Sequence, residues 1–105
     1  MNISAYTQFI AKNEKIWIGI PFRHRQILQM IYKQDSEAKL QVKDLLALKE
    51  IGSQATIHSV ISKLVADKYL KLTPSKTDAR VKFVTFAPKG TAIFSKLEKL
   101  AKESA

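Results

Sequence analysis

The chain has no cysteine, and only three glycines and three prolines in 105 residues. Without cysteine there is no disulfide, no thiol nucleophile and no zinc–thiolate site, which suits a cytoplasmic protein. The two histidines, His24 and His58, stand far apart and have no clustered carboxylates beside them, so no metal site is expected. There is no glycine-rich phosphate loop and no nucleophile elbow. No His–acid arrangement can be placed beside a serine. No catalytic residue and no cofactor are therefore expected, and the chain reads as a non-enzyme. No apolar run is long enough to cross a membrane. The N-terminus lacks the basic region, apolar stretch and cleavage site of a signal peptide. Negative charge is also scarce. Nine Asp and Glu stand against 18 Lys and Arg, a net charge of +9. That balance fits a polyanionic partner as well as a plain basic surface.

The apolar residues that are present fall into periodic segments. Ile3 to Lys12 predicts a short amphipathic helix, with Tyr6, Phe9 and Ile10 near one side. Ile16-Trp17-Ile18-Gly19-Ile20 is strand-like in composition and has no evident role. Pro21 suits the first turn of a helix from Phe22 to Lys33, which carries Ile27, Leu28, Ile31 and Tyr32 at helical spacing. Residues 34–39 form a polar break. Val42 to Leu48 is a short second helix, turning Val42, Leu45 and Leu46 inward with Ile51 behind them. Gly52 stops the pattern, and Ser53 follows as an N-cap. A third helix from Gln54 to about Lys68 carries Ile57, Val60, Ile61, Leu64 and Val65 as its apolar stripe. After Tyr69 the period changes from helical to alternating. Leu70 to Thr73 and Val81 to Phe86 read as a hairpin around a polar turn from Pro74 to Arg80, with Phe83 expected to help close the core. Thr91 to Glu103 is a last helix, with Ile93, Phe94, Leu97, Leu100 and Ala101 on its apolar side. The expected fold is mainly α with a small β-hairpin: a winged helix-turn-helix, a three-helix core plus wing with flanking terminal helices. It reads as one domain, with an N-terminal extension (1–20), a core (21–87) and a C-terminal helix (88–105).

Two places could carry chemistry. Opposite its apolar stripe, the third helix holds Ala55, Thr56, Ser59, Ser62 and Lys63, with Gln54 leading and His58 at the boundary. Small polar residues let a backbone approach the major groove, about 12 Å wide, while Gln54, Thr56 and Ser59 hydrogen-bond base edges or phosphates. An ordinary solvated face would hold more acids, and here the only one is Asp67, at the far end. The second place is the turn from Ser75 to Arg80. An exposed Arg80 can enter a narrow minor groove, with Asp78 holding the guanidinium in position. From Gly52 to Gly90 there are seven basic residues and only two acids, Asp67 and Asp78.

Gly52 to Leu64, GSQATIHSVISKL, and Thr77 to Gly90, TDARVKFVTFAPKG, together resemble the MarR family of winged helix regulators. Asp78, Arg80, Val81, Val84, Pro88, Lys89 and Gly90 match the family's wing pattern, and Ser53 and Thr56 match the opening of its recognition helix. The resemblance covers about residues 20 to 95. It implies a DNA-binding regulator; taken with the charge and the face of the third helix, the reading is a sequence-specific double-stranded DNA-binding transcriptional regulator that represses by occlusion. Its DNA contacts would be Ser53, Gln54, Thr56, Ser59 and Lys63 on the recognition helix, with Lys76 and Arg80 on the wing. Gly52 departs from the pattern, standing where an apolar residue is usual. The chain also ends after one C-terminal helix, without the family's long helical arms, which counts against a small-molecule effector. Apolar residues left over at the ends (Tyr6, Phe9, Ile10, Trp17, Phe94, Leu97 and Leu100) predict a homodimer held by the terminal helices; the alternative is that these helices fold back and complete a monomer's core. The alternatives are a replication or partition protein on the same fold, and a winged helix that binds only proteins. RNA binding is disfavoured, because the strands lack exposed aromatics for stacking.

Overall fold

The computed structural model describes residues 1–34 and 40–104. Of the polar break expected over 34–39, Gln34 still belongs to the helix that begins at Phe22, and 35–39 lie outside the described residues. Five helices and one two-stranded antiparallel sheet follow in the order α1 (Ile3–Ile16), α2 (Phe22–Gln34), α3 (Val42–Leu46), α4 (Gln54–Ala66), β1 (Leu70–Pro74), β2 (Lys82–Phe86) and α5 (Pro88–Ser104). This is the expected mainly helical winged arrangement with a single hairpin.

The core is built from stripes that helical periodicity brings to one side. Ile27, Leu28 and Ile31 of α2, Leu45 of α3, and Ile57, Val60, Ile61 and Leu64 of α4 are buried together with Leu70 and Val84 of the hairpin. The hairpin register pairs Leu70 with Phe86 and Leu72 with Val84. Alternation then puts those four side chains on the face toward the helices. Phe83, expected to help close the core, is half-buried on the opposite side. Val84 takes the place, because a one-residue shift in a strand changes face. Sequence also missed a tie outside the hairpin: Gln41 bridges to Phe83, and the Val84 N–H donates to the Leu40 carbonyl at 2.8 Å.

The element ends are set by local chemistry. Asn2 caps α1, its side-chain oxygen accepting from the Ala5 N–H at 2.7 Å. The strand-like segment 16–20 is not a strand. α1 runs on to Ile16, and a turn through Gly19, at φ +81°, delivers the chain to α2. Trp17 is driven inward there, to 3% exposure. Its ring meets the edge of Phe94 at 5.8 Å and carries the Arg25 guanidinium at 5.2 Å, while Glu14 pairs with Arg25 at 3.0 Å. Phe94 also stacks on Tyr32, with centroids 4.4 Å apart, and packs against Phe86 at 5.0 Å. One aromatic cluster thus joins the end of α1 to α2, β2 and α5.

α4 ends two residues earlier than its pattern suggests. Lys68 adopts φ +68°, so that the Tyr69 N–H donates to the Leu64 carbonyl and the Lys68 N–H to that of Val65. This is a Schellman termination, made here without glycine. α5 starts earlier than expected because Pro88, which has no N–H to satisfy, occupies its first turn. Of the seven apolar residues left over at the ends, Trp17, Phe94 and Leu100 are buried in the core. Tyr6 and Ile10 stay exposed, and Ile3 joins them at 81% exposure.

Gly90 is buried where α5 crosses the end of α4. A Cβ at that position would meet the Tyr69 carbonyl oxygen and lie 2.8 Å from the Phe86 ring. Backbone on one side and the aromatic cluster on the other leave little room for relief. Gly90→Ala is therefore expected to lower unfolding stability by about 1–3 kcal/mol, as overpacking does. Chemical denaturation checks this, and an unchanged midpoint would contradict the crossing described.

Candidate nucleic-acid interface

α4 displays its outward face because its inward one is fully committed. Ser53 begins it: the hydroxyl accepts from the Thr56 N–H at 3.2 Å and donates to Thr56 Oγ1 at 3.0 Å. Ser53 is thereby spent on the helix start. Thr56 Oγ1, having accepted that proton, keeps its own O–H to offer outward. Thr56, Ser59 and Lys63 follow one another at intervals of three and four, so they share one side. Gln54, Ala55, Ser59, Ser62 and Lys63 are exposed and Thr56 is half-buried. Among these side chains there is no carboxylate.

The wing residues sit on the turn between β1 and β2. Asp78 grips Arg80 through two parallel bonds, Nε to Oδ1 at 3.1 Å and Nη2 to Oδ2 at 3.2 Å. The Arg80 backbone N–H donates to the same carboxylate at 3.0 Å. Hydrogen bonding to Arg80, side chain first and backbone second, holds the Asp78 carboxyl below its usual range. The pair is open to water, with Arg80 at 91% side-chain exposure, so it orients the guanidinium more than it stabilises the fold. Ser75 Oγ accepts from the Thr77 N–H at 3.2 Å and shapes the turn that carries the exposed Lys76.

An open groove of about 760 Å³ runs between α4 and the leading end of α2. Ala55, Thr56 and Ser59 form one wall; Phe22, Arg23 and His24 form the other. None of these three α2 residues stood out from the sequence, where helical periodicity marked Ile27, Leu28, Ile31 and Tyr32. The signal available was a run of three basic-type residues, Arg23, His24 and Arg25, separated from Pro21 by one residue.

Solved structures with the same arrangement are transcriptional regulators. A regulator from Thermotoga maritima (Tm0710) superposes with a TM-score of 0.71 at 25% identity, over 92% of this chain and 67% of that one. A MarR transcriptional regulator from Methanosarcina mazei gives 0.64 at 21% identity, over 96% and 71%. A variant of MepR from S. aureus, bound to an oligodeoxyribonucleotide, gives 0.72 at 14% identity, over 93% and 71%. The chain has the MarR-type winged helix fold. No protein-family model matches the sequence, and no curated protein does. In this MarR-type frame, α3 and α4 are the helix-turn-helix and β1–β2 is the wing. No helix among the described residues is long and apolar enough to cross a membrane.

His24 lies beside Lys63 of α4 and Asp67, the residue just past its end. Burial lowers its pKa from 6.5, Lys63 lowers it further, and Asp67 opposes both. The folded state therefore favours the neutral imidazole. Protonation costs stability once the pH drops below about 6.5, and the loss levels off below the folded pKa. Thermal unfolding followed from about pH 7.5 to pH 5 is expected to show a steeper decline for the native sequence than for His24→Gln. Parallel curves would contradict this environment for His24.

Proposed function

We propose that this protein is a DNA-binding transcriptional regulator that reads double-stranded DNA with α4 and touches the flanking backbone and minor groove with its wing. One observation carries the reading. The outward face of α4 is small, polar and free of carboxylates, while Ile57, Val60, Ile61 and Leu64 on the opposite face are buried. Such a face fits the major groove. Gln54, Thr56 and Ser59 are proposed to meet base edges or adjacent phosphates; Lys63, Lys76 and Arg80 supply charge, and Ser53 fixes the helix start. The likeness to a MepR variant bound to an oligodeoxyribonucleotide supports the same reading. Repression by occlusion of a promoter is the simplest output of such a binder, and neither catalysis nor a cofactor is part of the proposal. A cytoplasmic location goes with it. Residues 1–105 act as one unit here, because the N-terminal extension and the C-terminal helix share the core through Trp17 and Phe94.

The working form is proposed to be a homodimer. Ile3, Tyr6 and Ile10 recur at helical spacing on α1 and are all exposed. Joining two copies through the terminal helices removes that surface from water. A two-fold pair also sets two reading helices about 34 Å apart, one duplex turn.

Sites selected from random duplexes test the proposal. A pseudo-palindromic site, bound with a log–log salt slope of roughly −4 to −8, is the expected outcome. Gln54→Ala and Thr56→Ala are each expected to cost about 1–3 kcal/mol on that site and little on random DNA, whereas Lys71→Ala weakens both alike. No duplex binding at low salt would overturn the proposal and leave a protein-binding winged helix.

A further inference from the structure

The two arginines near the start of α2 have different fates. Arg25 is held in place, paired with Glu14 at 3.0 Å and lying over the Trp17 ring at 5.2 Å. Arg23 turns the other way, toward α4. Its guanidinium carbon lies 4.0 Å from where a Cβ on Gly52 would stand, beside the turn that opens the reading helix. Among the described residues no carboxylate forms an ion pair with it. The groove it helps to line, between Phe22 and Thr56, also contains no carboxylate. A Cβ on Gly52 would lie in ordinary contact with that guanidinium, so only a side chain longer than alanine would crowd it. A methyl group there would already press on the Thr56 side chain at 3.3 Å, on the flank where the guanidinium passes.

A helix seated in the major groove has the sugar–phosphate strand running beside its first turn. We propose that Arg23 is a phosphate-contacting residue, set against Gly52 so that its guanidinium reaches the DNA strand flanking the first turn of α4. The inference rests on α4 being the duplex reader. It adds a contact outside both the helix-turn-helix and the wing. Glycine at position 52, where the MarR pattern has an apolar residue, fits this role, since a larger side chain would fill the space beside the guanidinium. Arginine suits the task because its planar fork matches two phosphate oxygens and stays charged at every working pH. The contact carries no base information, so it raises affinity without changing sequence preference.

Fluorescence anisotropy on the selected duplex and on a random duplex tests this, with Lys96→Ala on α5 as a control for loss of one exposed positive charge. Arg23→Ala is expected to weaken both duplexes about equally, by roughly tenfold, and to reduce the salt slope by about one. Arg23→Lys should recover part of the affinity, and Lys96→Ala should change neither quantity. Thermal unfolding of Arg23→Ala should match the native protein, since among the described residues this side chain makes no ion pair. If Arg23→Ala binds like Lys96→Ala while the native protein binds duplex strongly, Arg23 is not a contact and the reading of α4 stands. If the native protein binds no duplex, both fall together.

Discussion

Everything the outward face of α4 offers depends on how its inward face is held. Ile57 and Leu64 are sealed from water against α2 and the hairpin, with Val60 and Ile61 between them. Fully burying an aliphatic side chain of this size stabilises by about 1.5–3 kcal/mol, so the rotation of the helix about its axis is tightly fixed. Turning it by one residue, about 100°, would bring Thr56 or His58 into the core and carry Ile57 into solvent. The chemistry of the exposed side is therefore a consequence of packing on the buried one. The small polar residues sit where core demands are absent.

The wing is positioned by the same core. α4 stops where Lys68 takes a left-handed conformation, and the carbonyls just released are used at once: the Ala87 N–H donates to Tyr69 and the Lys89 N–H to Lys68. The end of α4, the start of β1 and the start of α5 are thus bound into one junction, with Gly90 packed tightly against it. Leu70 and Val84 anchor the inner face of the hairpin, and the turn with Asp78 and Arg80 projects from that fixed base. Position comes from buried carbon and backbone hydrogen bonds. Charge is added at the exposed ends, where desolvation costs little.

The helices of the core and the hairpin were legible in the sequence because each segment kept one period. The stripe of α4, the cap at Ser53 and the change from helical to alternating pattern after Tyr69 each follow from a local rule. Residues 16–20 were not legible: β-branched and aromatic composition suggested a strand, but among the described residues no strand pairs with them, and Trp17 is buried by contacts from α2 and α5. The choice between Phe83 and Val84 depended on hairpin register, which composition leaves open. At the candidate interface, the face of α4 and the Asp78–Arg80 pair could be read from spacing. Arg23 could not, because it comes from another helix, and only the approach of α2 to Gly52 puts it beside α4.

The central claim is that the surface of α4 between Gln54 and Lys63, with the turn around Arg80, is where duplex DNA sits. Backbone amide shifts of the isotopically labelled protein, followed as a duplex carrying its selected site is added at low salt, test this residue by residue. The account predicts that the changes concentrate at residues 53–63 and 75–81, with α1 and the exposed side of α5 unmoved. Changes confined to α1 and α5, or none at saturating duplex, would contradict it.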